Sequence, residues 1–133
     1  MKSIAAFLLF VLFLSCQKSS LSDPNSIEGD YVTSAFLDPS CTAVEPGKLP
    51  TLKVFRSGQQ NYDMVITRYL PVKSTTEISG IKLIEEGGED KLVYQNKSAG
   101  SWKKVEGFGD QKILTISIQS DPTQFTYFVG QKK

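Results

Sequence analysis

Histidine is absent from the 133 residues, and cysteine, methionine and tryptophan are scarce at two, two and one. Without histidine there is no Ser-His-Asp or Cys-His nucleophile system and no imidazole metal site. Carboxylate pairs and a Ser-Lys couple are the remaining catalytic options, and the clear acidic clusters fall in turns. No glycine-rich phosphate loop or metal-ligand spacing is present, so the sequence argues against an enzyme and calls for no cofactor or metal. Charge of one sign is missing too: 15 Lys+Arg face 14 Asp+Glu. A net charge of +1 supplies no basic face for phosphates, which excludes nucleic acid as the expected partner. The chain has room for one domain and no second core. An apolar fraction of 40% with 11% aromatics is nonetheless too hydrophobic for a disordered chain.

A long apolar run is also lacking. The longest covers 11 residues, Ile4 to Leu14. As a helix it reaches about 16 Å, against the roughly 30 Å of a bilayer core. It fits the apolar region of an export signal, with Lys2 before it and small Ser15 before Cys16. Phe13-Leu14-Ser15-Cys16 resembles the lipobox of bacterial lipoproteins, usually Leu, small, small, Cys; it keeps the small residue before cysteine and departs at Phe13 and Leu14. The resemblance implies a signal peptide over 1–15, diacylglycerol on the Cys16 sulfur, cleavage before Cys16 and acylation of the new amine. Acyl chains on Cys16 then make the membrane a partner. Gln17, where the enterobacterial sorting rule reads Asp as retention, implies an outer-membrane address in the cell envelope. An ordinary secretory signal that happens to contain a cysteine is the alternative.

Residues 16–26 comprise the lipidated Cys16 and a polar tether with Ser, Asp, Pro and Asn, suited to a flexible link. Loss of Lys2 with the signal brings the cations level with the 14 anions. Lipid on Cys16 leaves Cys41 without an intramolecular partner, as a buried small hydrophobe or an odd thiol. With an ordinary signal left in place, a Cys16–Cys41 bridge becomes possible.

From Ile27 to Lys133 the hydropathy pattern has period two. Tyr62, Met64 and Ile66 alternate with Asp63, Val65 and Thr67, and Leu114, Ile116 and Ile118 with Ile113, Thr115 and Ser117. β-Branched and aromatic residues dominate, and no stretch reads as an amphipathic helix. Turn signals at Ser57-Gly58, Leu70-Pro71, Gly87-Gly88, Ala99-Gly100, Gly107–Asp110 and Ser120–Pro122 divide the chain. The expected strands are 30–37, 50–56, 61–69, 74–84, 91–96, 101–106, 111–119 and 123–130. An all-β antiparallel meander of about eight strands results, closed into a barrel or folded as a β-sandwich. Gly87-Gly88 supplies positive φ at both centres of a two-residue hairpin turn. The carboxylates around it lack the alternating spacing of an EF-hand loop and read as a solvated turn, and Lys103-Lys104 reads as surface charge.

Ile27-Glu28-Gly29-Asp30-Tyr31 is similar to the Gly-x-Trp opening of lipocalins and the Gly-x-Trp/Tyr opening of intracellular lipid-binding barrels. The resemblance implies that Gly29 permits a close turn and that Tyr31 plugs the closed end of a barrel. The long connection from Asp38 to Pro50 stands where lipocalins place the loop over their open mouth. A lipocalin-like barrel implies a small apolar or amphipathic ligand, with Met64, Tyr94, Trp102 and Phe125 the candidate lining. Phe36, Phe55, Tyr127 and Phe128 compete for the same interior, so a filled barrel is the alternative. That alternative is an envelope protein-interaction module without a small-molecule ligand. Periplasmic lysozyme-inhibitor lipoproteins, one such class, carry a Ser-Gly-x-x-Tyr loop; Ser57-Gly58-Gln59-Gln60-Asn61-Tyr62 is one residue longer.

Overall fold

The computed structural model describes residues 23, 25–34, 37 and 45–133. Cys16, Phe36, Cys41, the signal segment and most of the tether lie outside the described residues. Eight antiparallel strands close into one barrel in sequence order. They are β1 (Gly29–Val32), β2 (Thr51–Arg56), β3 (Asn61–Arg68), β4 (Ser74–Glu86), β5 (Glu89–Tyr94), β6 (Lys97–Lys104), β7 (Lys112–Asp121) and β8 (Gln124–Lys132). The protein is an all-β, lipocalin-like meander barrel rather than a sandwich. Closure comes from β1 against β8, with Tyr31 opposite Lys132 and Val32 opposite Gln131. Joining the first strand to the last removes the open edges that a flat meander would leave. A 3₁₀ turn, Pro46–Lys48, precedes β2.

The period-two pattern sets which side chains enter. Leu52 and Val54 of β2, Tyr62, Met64 and Ile66 of β3, Leu114, Ile116 and Ile118 of β7, and Phe128 of β8 point inward and are buried. Their alternates point out. Phe55, expected to compete for the interior, sits between inward Val54 and the strand end and is exposed, with Lys53 Nζ 5.3 Å from its ring centre. Phe125 is likewise on the outer face.

Most strand boundaries fall within two residues of the sequence expectation, and two, the end of β1 and the start of β6, differ by more. The first strand ends at Val32, because the Thr33 amide turns to the Pro50 carbonyl at 3.2 Å and the Thr33 hydroxyl donates to the Val129 carbonyl. The Ala99-Gly100 turn signal is a misreading, since both residues lie inside β6. The β5–β6 turn falls instead at Gln95-Asn96, with φ of 50° and 62°, and Gly100 serves a close approach to β7. The acidic hairpin stands as expected: Gly87 and Gly88 have φ of 64° and 79°. Its carboxylates meet lysines, Glu86 with Lys91 at 2.8 Å and Glu89 with Lys103 at 3.2 Å. Lys104 pairs with Asp110 at 3.1 Å.

Candidate functional site at the barrel rim

The antiparallel order gives the barrel two unlike ends. One carries the N-terminal turn, the β2–β3 and β4–β5 turns and the β6–β7 loop. The other, the rim, carries the β1–β2 connection, the β3–β4 loop and the β5–β6 and β7–β8 turns.

The first end is plugged. Tyr31 is fully buried, and its hydroxyl donates to the Ile27 carbonyl at 2.8 Å. Burial pushes the Tyr31 phenol well above its ordinary pKa, an effect the neighbouring Trp102 side chain partly offsets. Trp102 packs beside it, with Lys112 Nζ 4.0 Å from the ring centre and 2.6 Å from Asp90 Oδ2. Lys132 Nζ donates to the Asp23 and Ser26 carbonyls at 2.7 and 2.8 Å, tying β8 to the N-terminal turn. Partial burial lowers the Lys132 pKa, against the pull of Asp23 and Glu28. Gly29, at φ 137°, leaves the space that Lys132 crosses: a Cβ there would lie 2.7 Å from Lys132 Cε. The two residues of the opening motif thus stand beside the same lysine and the same buried turn.

The middle of the barrel is occupied by side chains. Met64 has 0% of its surface exposed and Trp102 3%, and both belong to one buried cluster with Leu52, Ile66, Leu92 and Ile116. Eight-stranded barrels span interiors filled by side chains and interiors holding one small ligand. The described interior is of the filled kind.

Open space lies at the rim, between β6 and β7. The ladder joining these strands ends at Gly100↔Ile116, although both strands continue, to Lys97 and to Asp121. The cause is local. On the β5 side, Leu92 faces Gly100 while Val93 faces Ser98, so Ala99 is an extra residue, a β-bulge that bends the strand. Gly100 takes φ 141°, and a Cβ there would come 1.9 Å from the Thr115 carbonyl oxygen. Glycine brings the two backbones together at this point, and the bulge carries β6 away above it.

The resulting cleft has a volume of about 560 Å³. Inward-facing Tyr94 and Ile118 line it together with Ser98, Ser117 and Gln119, whose register places them on the outer face, so it cuts through the barrel wall as a slot. Phe125 flanks it with 61% of its surface exposed. The Phe125 and Tyr127 rings are stacked, centres 6.1 Å apart and planes 17° from parallel. Asp121 also borders the slot, but its Oδ1 is engaged by the Thr123 and Gln124 amides at 2.7 and 2.9 Å and by the Thr123 hydroxyl. These hydrogen bonds hold the Asp121 carboxyl below its usual pKa and shape the β7–β8 turn.

Of the four residues expected to line a ligand site, Tyr94 and Phe125 border the rim slot, and Met64 and Trp102 stand in the packed interior. Ser98, Ser117 and Gln119 were not singled out by the sequence, and Tyr127, expected to compete for the interior, stands on the outer face opposite Ser117; Phe125 and Tyr127 at i and i+2 on one strand face were the signal available. Tyr62, which ends the loop compared with the inhibitor motif, is buried in the barrel rather than displayed. Among the described residues, no three His, Cys, Asp or Glu side chains gather as a metal site. Architecture and slot together define a closed, side-chain-filled lipocalin-like barrel with a breach at its rim. Comparison with protein-family models, curated proteins and solved structures returns no match, so the slot is read from its own geometry.

Proposed function

We propose that the chain is a lipid-anchored protein of the bacterial cell envelope, held through Cys16, whose barrel is a filled scaffold that recognises a partner molecule at its rim slot. The observation that carries the recognition half is the occupied interior: with Met64 and Trp102 buried, a ligand is met at the surface, and the wall breach beside Phe125 offers a cleft of about 560 Å³ bordered by an exposed aromatic ring. A small apolar ligand within the barrel is the less favoured reading, because its candidate lining is split between core and rim.

The anchoring half rests on the sequence up to Cys16 and on the chemistry of acyl chains. Each buried CH₂ contributes about 0.8 kcal/mol, so one chain holds weakly and two or three hold firmly. The described N-terminal turn, Asp23 to Ile27, sits at the plugged end, away from the slot. Gln17 supports an outer-membrane address.

Palmitate labelling of wild type against Cys16→Ser tests the anchor. Label on wild type alone is the expected result, and equal labelling of both refutes lipidation at Cys16. Native mass spectrometry of the purified protein tests the filled scaffold. A stoichiometric co-purifying apolar ligand would return the reading to a hollow barrel.

A further inference from the structure

We propose that the rim slot binds a neutral oligosaccharide, packed against the exposed Phe125 ring and hydrogen-bonded by the residues around the β6–β7 breach. The proposal rests on the rim as the recognition surface and names the class of ligand that fits it.

Three observations lead there. Phe125 and Tyr127 are two residues apart on β8, their rings 6.1 Å between centres and 17° from parallel, with Phe125 largely exposed. The stacked pair forms an apolar strip in which Phe125 is the exposed member, and an uncovered ring face carries the negative side of its quadrupole. A pyranose ring offers a matching face of C–H bonds carrying slight positive charge, with its hydroxyls around the rim. An alkyl chain gains little from a strip open to water on one side, since its gain depends on removing apolar area from water.

The polar groups beside the strip are the second observation. Ser98, Ser117, Gln119, Ser120 and Gln95 all border the slot, and each hydroxyl or amide both donates and accepts. Sugar hydroxyls require that combination. Beyond Gly100↔Ile116, the backbone edges of β6 and β7 have no ladder partner in each other among the described residues, which adds groups for a ligand to meet.

Charge is the third. Lys97 and Asp121 are the charged residues of the lining, one of each sign, and Asp121 Oδ1 already holds its own turn. A phosphorylated or carboxylated ligand would find no surplus cation, so a neutral one fits best. The bulge at Ala99 then has a role: it opens the wall beside the aromatic strip.

An extended peptide adding to the exposed strand edges is the competing occupant. It accounts for the interrupted ladder and leaves the paired rings and the serine and glutamine lining without use.

The test is titration of the purified full-length protein in detergent, followed by amide NMR shifts and calorimetry. The probes are N-acetylglucosamine oligomers, glucose oligomers and, separately, a Thr-Val repeat peptide. At least one saccharide series is expected to bind at micromolar to millimolar concentration, shifting the amides of Ser98, Ser117, Gln119 and Phe125. Phe125→Ala, a change at an exposed position, is expected to weaken binding about tenfold, the scale of a lost aromatic contact. Phe55→Ala, an exposed aromatic on β2, should leave affinity unchanged. Absence of saccharide binding, equal binding by Phe125→Ala, or shifts produced by the peptide alone each overturn the proposal. The palmitate experiment is independent: a labelled chain that binds no sugar refutes the ligand class and keeps the anchor. An unlabelled chain that binds sugar does the reverse.

Discussion

Replacing Tyr31 with Phe gives a perturbation whose effect changes with pH in a way the structure dictates. The Tyr31 hydroxyl is fully buried, and its one described protein acceptor is the Ile27 carbonyl at 2.8 Å, itself part of a buried residue. Removing the hydroxyl at neutral pH leaves that carbonyl without its donor and should cost about 1–2 kcal/mol. Alkaline pH reverses the comparison. Burial raises the phenol's pKa in the folded protein above its ordinary value near 10, so the folded state holds the proton more tightly than the unfolded chain. The associated stability is complete below about pH 10 and is lost as pH rises above it, at about 1.4 kcal/mol per pH unit. The Phe variant has no such proton to lose. Lysine deprotonation affects both proteins alike, so their difference isolates Tyr31. Urea unfolding followed through Trp102, the single tryptophan, should find wild type more stable at pH near 7. The gap should close about one pH unit above the ordinary tyrosine pKa and invert beyond it. Parallel stability curves up to that range would refute the placement of a dry, protonated phenol at the plugged end.

Other changes probe the remaining parts. Gly100→Ala places a methyl 1.9 Å from the Thr115 carbonyl at φ 141°, and should cost about 3 kcal/mol or more, read as a large fall in Tm. Met64→Ala should lose about 2–5 kcal/mol in chemical denaturation, while Phe125→Ala, exposed on the outer face, should stay within about 0.5 kcal/mol of wild type. Equal costs for these two would contradict the division between filled interior and surface strip. Lys112→Met removes the cation 4.0 Å from the Trp102 ring centre and strands Asp90; a loss of about 1 kcal/mol with a shift in Trp102 emission is expected.

Most of the barrel was legible because alternation is a local property. Tyr62-Met64-Ile66 and Leu114-Ile116-Ile118 disclose their inward face without knowledge of any neighbour, and Gly87-Gly88 declares its turn by conformational need. Gly100 shows the limit. A glycine after an alanine reads as a turn, yet here it is needed because the Thr115 carbonyl of another strand crowds its position. The true turn, Gln95-Asn96, carries positive φ on residues that announce it weakly, although asparagine tolerates that region better than most. The same blindness hid the rim slot. An extra residue in β6 can be counted only against β5, and an interrupted ladder exists only once β6 and β7 are side by side. Met64 and Trp102 were sound guesses for a hollow barrel; that the space between strands is filled depends on the fit of all their neighbours together.

The junction of β1 with β8 also bears on how quickly the protein can form. Lys132 grips the Asp23 and Ser26 carbonyls across 109 and 106 residues of chain. Each adjacent hairpin can form from nearby sequence, but this seam gains nothing until the most distant pieces meet, after most of the loop-closure entropy has been spent. Joining the seam is therefore the most costly closure in the barrel, and until it occurs β1 and β8 remain exposed edges open to the wrong partner on the way over the folding barrier. Substitution at Lys132 should slow the approach to the native state or hasten its loss, according to whether the seam is already joined at the summit of that barrier.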